Sequence, residues 1–301
     1  MLGPGEGPHM PQYLGGDCGL GSGPSEEGGA IAPPSFLPHY TTMTENELLP
    51  ATILSRLKTS FVGQDVLYFP SVPSTMDAAK DVARRGCREG TIVVADEQTA
   101  GRGRLGRNWV TPAGSSIALS VILKPELYQL SALTMIASLA VARSIEQVTG
   151  LHPTIKWPND VLVNGKKVCG ILADSELGGE EVHWAVVGIG LNVNLEPSAF
   201  PDLATIATSL SAELRREVSR LDVLCALLAE LEQLYLASRE GRPFYQEWRR
   251  CLETLGKHVR VTSGDVVQEG IAESVDVEGN LLLRRSDGSL LTIIAGDVTL
   301  R

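Results

Sequence analysis

The sequence has no CxxC pair, and its five cysteines (Cys18, Cys87, Cys169, Cys225 and Cys251) are odd in number. This argues against a zinc site or a disulfide framework and fits a reducing cytoplasm with mostly buried thiols. No apolar run approaches the roughly 18 residues needed to cross a bilayer, which excludes an integral membrane protein. A basic segment followed by an apolar one is missing at the N-terminus, so no secretory signal is evident. Lys and Arg are absent from the first 55 residues, which carry Glu6, Asp17, Glu26, Glu27, Glu45 and Glu47. These six account for more than half of the net charge of −10 over 301 residues. The rest of the chain is close to neutral. The acidic total therefore excludes a surface that clings everywhere to nucleic acid, but not a local cationic site.

Residues 1–40 contain ten Gly and seven Pro with few large aliphatics. Such a segment cannot offset its ordering entropy, so residues 1–43 are expected to form a disordered tail. Residues 44–254 and 255–301 are expected to form a larger and a smaller domain. Asn46 to Leu57 reads as a short helix and Val66 to Phe69 as a strand. Ser74-Thr75-Met76-Asp77 has the pattern of a capping box opening a helix that stops at Gly86. Thr91 to Ala95 and Ser116 to Leu123 read as strands. Leu133, Ile136, Ala137, Ala140, Val141, Ser144, Ile145 and Val148 recur at helical spacing, which predicts an amphipathic helix ending at Gly150. Thr154 to Trp157 precedes a hairpin in which Asn164-Gly165, a pair suited to a type I′ turn, joins Val161–Val163 to Val168–Leu172. His183 to Val187 is a further strand. A long helix begins at Ser219, where Ser219 and Asp222 again fit a capping box. After Gly256, four or five short β-runs predict a small barrel or meander.

Four stretches stand out chemically. The first is Gln98-Thr99-Ala100-Gly101-Arg102-Gly103-Arg104-Leu105-Gly106-Arg107-Asn108-Trp109. Glycine lets backbone approach a ligand closely, and arginine offers planar, permanently charged donors to carboxylate and phosphate. Together they suit an anion-binding loop. No Lys-Ser or Lys-Thr follows, so it is not a P-loop, and the glycine spacing fails the dinucleotide fingerprint. A basic RNA-binding loop is the bland alternative, although repeated Gly-Arg units and interleaved aromatics are missing. The second is Lys156-Trp157-Pro158-Asn159-Asp160, a strand running into turn chemistry. The third is Asn164-Gly165-Lys166-Lys167-Val168-Cys169-Gly170-Ile171-Leu172, whose hairpin lysines taken alone read as solvated. In the fourth, Gly188-Ile189-Gly190-Leu191-Asn192-Val193-Asn194, glycines inside a strand pattern mark a bulge or a close approach to a ligand, or else a sheet irregularity.

These motifs, in this order, resemble those of the biotin protein ligases over residues 50–301. The resemblance implies an α+β fold. Its main sheet would be mixed and mostly antiparallel, flanked by helices as in class II aminoacyl-tRNA synthetases, with a small C-terminal SH3-like β-barrel. It implies a two-step activity. Biotin and ATP give biotinyl-5′-AMP and pyrophosphate, with Mg²⁺ expected. A lysine of a biotin carboxyl carrier protein or domain then takes the biotinyl group and AMP leaves. By the same resemblance, Ser74, Thr75, Met76 and Gln98 contact biotin, and Gly101, Arg102, Gly103 and Arg104 form a loop closing over it. Met76 stands where the family commonly has a small polar residue, which leaves its backbone to bond. Arg104, Lys167 and Lys156 are the expected catalytic cations. Arg102, Arg104, Arg107, Trp109, Lys156, Asn159 and Asn192 are the expected ATP contacts. The metal ligands and the carrier are not assigned.

The missing Ser/His/Asp or Cys nucleophile constellation is consistent with a reaction driven by positioning and charge. Relatives form dimers by pairing sheet edges, so a homodimer is a possible state. A DNA-reading helix-turn-helix, which some relatives carry, is not expected from the short, acidic N-terminal segment. The alternatives are a lipoate or octanoate ligase on the same fold and an inactive biotin-binding module. Acid preference separates the first from a biotin ligase, and adenylate formation separates the second.

Overall fold

The computed structural model describes residues 47–300. The expected tail at residues 1–43 and the absence of a DNA reader there lie outside the described residues, as does Cys18. In chain order the elements are α1 (Pro50–Arg56), β1 (Val66–Val72), α2 (Thr75–Arg84), β2 (Ile92–Gln98) and β3 (Ser116–Leu123). They continue with α3 (Ala132–Thr149), β4 (Thr154–Lys156), β5 (Asp160–Val163), β6 (Lys166–Gly178) and β7 (Glu181–Asn192). Then come α4 (Leu210–Leu214), α5 (Arg220–Arg239), α6 (Tyr245–Cys251), β8 (His258–Ser263) and β9 (Val266–Val275). The last are β10 (Leu281–Arg284), β11 (Leu290–Ile293) and β12 (Asp297–Leu300).

Seven strands form one sheet in the order β1-β2-β3-β7-β6-β5-β4. Only β1 and β2 run parallel; every other pairing in it is antiparallel. Alternation along the strands sends side chains to two faces. Ile92, Val94, Ile117, Leu119, Val121, Val187, Ile189 and Leu191 join one large core with α3 and α5. Val93, Ile122, Trp184 and Val186 point the other way and pack against Met76 and Ala79 of α2. Helices therefore cover both faces of the sheet. β8 to β12 make a second, antiparallel sheet in the order β11-β10-β9-β8-β12, with Val259, Val261, Leu281 and Val298 in the large core as well. The fold is thus the expected mixed α+β arrangement with a C-terminal β-structure.

Several local expectations change. α1 starts at Pro50, in the first turn, where a missing N–H costs no helix bond. β1 runs on through Pro70 because it is an edge strand, where proline breaks no ladder bond. The capping box at α2 does not form: Ser74 makes no side-chain cap, and the Thr75 N–H instead donates to Oε1 of Gln98 at 2.9 Å. At α5 half of the box forms, with Ser219 Oγ accepting from the Asp222 N–H at 3.1 Å, while Asp222 pairs with Arg56. α3 is not amphipathic; it is buried on nearly all sides between the main sheet, α5 and α6. Of the described cysteines Cys169 alone is buried, and Cys87, Cys225 and Cys251 are half-buried free thiols. The Asn164-Gly165 turn is as expected, with φ of 51° and 76°. No helix among the described residues is long and apolar enough to cross a membrane.

Candidate active site

A cavity of about 480 Å³ opens on the α2 side of the main sheet, a size usual for small-ligand sites. Its floor follows from strand register. On this face Ser116, Ala118 and Ser120 of β3 lie opposite Asn192, Gly190 and Gly188 of β7. Gly190 and Gly188 lie in turn opposite Gly170 and Leu172 of β6. Three adjacent strands thus present almost only small side chains, and a depression results where other parts of the sheet are covered. The glycines in β7 interrupt no pairing, so they mark no bulge; the groups that approach them closely are protein side chains. A Cβ on Gly190 would lie 2.3 Å from Nε1 of Trp109, and one on Gly188 would lie 2.5 Å from Sδ of Met76.

The roof is the Gly-Arg segment, a hairpin in which Gly103 and Trp109 donate backbone N–H bonds to Arg107 and Gly101. Each of its arginines reaches a different element. Arg102 pairs with Asp77 of α2. Arg104 Nη1 donates to Oδ1 of Asn159 at 3.0 Å, and Asn159 is itself held by donating to the Ile171 carbonyl at 2.7 Å. Arg107 pairs with Asp297 of β12. Arg104 is thus turned toward the cavity, while Arg102 and Arg107 remain largely exposed beside their acidic partners. At the start of β6, Lys167 Nζ lies 2.7 Å from Oδ1 of Asp160 and 5.4 Å from the centre of the Trp109 ring. The Lys167 backbone is fixed by bonds with Ile206 and Thr208 on the far side.

A polar chain crosses one wall. Ser120 Oγ donates to Thr75 Oγ1 at 2.9 Å, Thr75 Oγ1 donates to Gln98 Oε1 at 3.1 Å, and Gln98 Nε2 reaches Thr111 Oγ1 at 3.4 Å. Three buried polar atoms have no partner among the described residues: Nε1 of Trp109 and Oδ1 of Asn192 at the cavity, and Nε1 of Trp184, which does not line it. An unpaired buried donor or acceptor costs on the order of 1–3 kcal/mol, so a ligand's polar group reaching either of the two at the cavity would recover that cost. Burial pushes the Cys169 thiol up from its ordinary range, which removes it as a nucleophile. Among the described residues no three His, Cys, Asp or Glu side chains converge to hold a metal ion. Asp160 and Asp297, the carboxylates at the cavity, are each engaged by a cation. Mg²⁺ is ordinarily held through one or two carboxylates together with substrate phosphates, and these two are the carboxylates the cavity offers.

Ser74, Thr75, Met76, Gln98, Arg102, Gly103, Arg104, Arg107, Trp109, Lys156, Asn159, Lys167 and Asn192 all line this cavity. Gly101 does not. A Cβ there would lie 2.3 Å from the Trp109 carbonyl, so this glycine serves the close approach of the hairpin's two arms. The sequence reading missed Ser120, the Leu203–Ala207 segment, and Asp297 and Thr299 from the C-terminal sheet. Ser120 sits in a strand that reads as plain core, and contacts from distant segments leave no local signal.

Comparison with known proteins agrees with this geometry. Residues 68–192 match the model of the biotin/lipoate A/B protein ligase family, and residues 254–301 match the biotin protein ligase C-terminal domain. The bifunctional ligase/repressor BirA of Bacillus subtilis is 37% identical over 249 residues, 81% of this chain and 76% of that protein. The biotin–acetyl-CoA-carboxylase ligase of Paracoccus denitrificans is 37% identical over 205 residues, 65% of this chain and 85% of that one. The solved structure of the biotin protein ligase from Aquifex aeolicus, in complex with biotin and ATP, superposes with a TM-score of 0.68 at 29% identity. That alignment covers 79% of this chain and 99% of the Aquifex chain. A glycine-floored cavity under an arginine hairpin, with both family models matching around it, places the chain in the biotin/lipoate A/B protein ligase family.

Proposed function

We propose that the protein is a biotin protein ligase. It activates biotin with ATP as biotinyl-5′-AMP and transfers the biotinyl group to a lysine of the biotin carboxyl carrier domain of a biotin-dependent carboxylase. The observation that carries this reading is that Arg104 and Lys167, both oriented by neighbours, share one cavity with the bonded pair Thr75 and Gln98, which Ser120 backs from the buried side.

In the first step a carboxylate oxygen of biotin attacks the α-phosphorus of ATP, and the bond to the bridging oxygen breaks to release pyrophosphate. Two anions must meet, so fixed cations stabilise the charge that gathers on the reacting oxygens. Lys167 and Arg104 take that role, with Lys156 and Arg107 toward the phosphates. Ser74, Thr75 and Gln98 supply donors and acceptors for the ring of biotin. Trp109 serves the adenine side, and Asn159 and Asn192 contact the nucleotide at its adenine or its phosphates. In the second step the neutral amine of the carrier lysine attacks the carbonyl of the mixed anhydride, AMP leaves and the amine loses a proton. The hairpin roof keeps water from the anhydride between the two steps. Four free thiols among the described residues support a reducing cytoplasm as the compartment.

The test is ATP-dependent transfer of labelled biotin to a carrier domain, with biotin-dependent pyrophosphate exchange reporting the first step alone. Lys167→Ala and Arg104→Ala are each expected to lower exchange at least tenfold, about 1.4 kcal/mol or more. Wild-type exchange in either variant removes that residue from the mechanism.

A further inference from the structure

Resting on the ligase reading, we infer that Met76, seated over Gly188, sets the depth of the acid-binding end of the cavity and hence which acid is activated. The argument starts from the floor. Lys167 and Trp109 sit over Gly170 and Gly190: a Cβ on Gly170 would meet the Trp109 ring at 3.1 Å and Lys167 Nζ at 3.2 Å. The carboxylate of the acid belongs at this end, beside the cations.

One same-face step along β7, about 6.6 Å away, is Gly188. The next residues on that face are Val186 and Trp184, buried under α2. Gly188 is therefore the last open floor position. The thioether of Met76 lies directly on it, with Sδ 2.5 Å and Cγ 2.8 Å from where a Cβ would stand. Met76 is 7% exposed, packs in the α2-side core and lines the cavity. At the same level Leu172 and Ser120 flank Gly188 on its two neighbouring strands.

An acid whose carboxylate is held at Lys167 thus extends its ring toward a wall made of one flexible, polarisable side chain. The length between carboxylate and ring decides whether the ring meets that wall. Replacing Met76 by Ala removes three heavy atoms and deepens the cavity by about one methylene or more. A change of one methylene in an apolar pocket alters kcat/KM by about 10- to 200-fold.

The test compares biotin with its homologue bearing one more methylene between ring and carboxylate, in pyrophosphate exchange. Wild type is expected to prefer biotin, and Met76→Ala to lower the biotin-to-homologue ratio of kcat/KM tenfold or more. Gly188→Ala is expected to drive the Met76 side chain into the cavity and depress biotin activation. The double variant Met76→Ala/Gly188→Ala should restore it, which a loss of folding would not do. An unchanged acid ratio in Met76→Ala, with biotin still activated, overturns the inference; so does a double variant no better than Gly188→Ala. Absence of biotin-dependent exchange in the wild type strikes the ligase reading instead.

Discussion

At the scale of single residues, the site is built by what is small as much as by what is charged. Gly190 has no unusual backbone requirement; it is glycine because the rigid Trp109 ring occupies the space a side chain would take. Gly190→Ala places a methyl group 2.3 Å from Nε1 of Trp109, and a fused ring cannot bend away as a methionine can. Overpacking of this kind costs about 1–3 kcal/mol, and a reacting group displaced by about 1 Å loses up to 10²-fold in rate. Gly190→Ala should therefore remain folded by circular dichroism and lose at least tenfold in pyrophosphate exchange. Exchange within twofold of wild type would show that Trp109 needs no fixed seat. The charged residues follow a parallel rule: Asn159 fixes Arg104, and Asp160 fixes Lys167. Those two neighbours in sequence orient the two cations assigned to the chemistry.

At the scale of elements, the clearest case is the joint between α5 and the segment leading into β1. Glu232 projects from α5 and accepts from the N–H groups of Ser60, Phe61 and Val62 and from the Ser60 hydroxyl, at 2.7 to 3.0 Å. Burial alone would raise its carboxyl, but these donors outweigh burial and hold it below the usual carboxylate range. A carboxyl lowered in the folded state contributes stability above its unfolded value, about pH 4.3, and loses it as pH falls through the folded value. Glu232→Gln turns one acceptor into a donor facing other donors, so it should cost about 2–3 kcal/mol at neutral pH. Thermal unfolding followed from pH 7 downward checks this: the gap to wild type should stay constant above about pH 5 and shrink as pH falls below the unfolded value. A gap independent of pH would mean that packing, not charge, holds the joint.

Elements also show what was legible in the sequence. The Asn164-Gly165 turn, β3 and the end of α3 at Gly150 were readable because backbone geometry dictates residue type locally. The apparent capping box at Ser74 failed because Gln98, 23 residues away, captured the Thr75 N–H. The length of β7 was underread because its glycines look unsuited to a strand until β3 and β6 are known to flank it. Most cavity-lining residues were readable through motif resemblance. Asp297 and Thr299 were not, since only long-range packing brings them there.

At the scale of the whole molecule, the C-terminal sheet forms part of the cavity wall through Asp297 and Thr299 and is held by Trp157, just after β4, and Tyr245 of α6. Trp157 Nε1 donates to the Gly279 carbonyl at 2.8 Å, and Tyr245 donates to the Val275 carbonyl at 2.5 Å. Asp297 pairs with Arg107 of the roof. Exposed pairs of this kind contribute about 0–1 kcal/mol to stability, so the interest of this pair lies in position rather than strength. Asp297→Ala should leave the melting temperature nearly unchanged and raise KM for ATP several-fold while KM for biotin stays within twofold. Equal effects on both substrates would argue that the pair supports the roof as a whole rather than its nucleotide side.

The three arms of the roof have a wider consequence. Arg102 and Arg107 are matched by Asp77 and Asp297, and Lys167 by Asp160, while Arg104 leans on a neutral amide. Of the five cations at the cavity, Arg102, Arg107 and Lys167 thus carry a carboxylate partner, and Arg104 and Lys156 carry none among the described residues. An anion at any of the first three must compete with the carboxylate already in place. A ligand pair that brings a carboxylate and a polyphosphate together can displace several of these internal counterions at once. The resident aspartates therefore set a threshold that a ligand carrying several negative groups crosses more readily than one carrying a single charge.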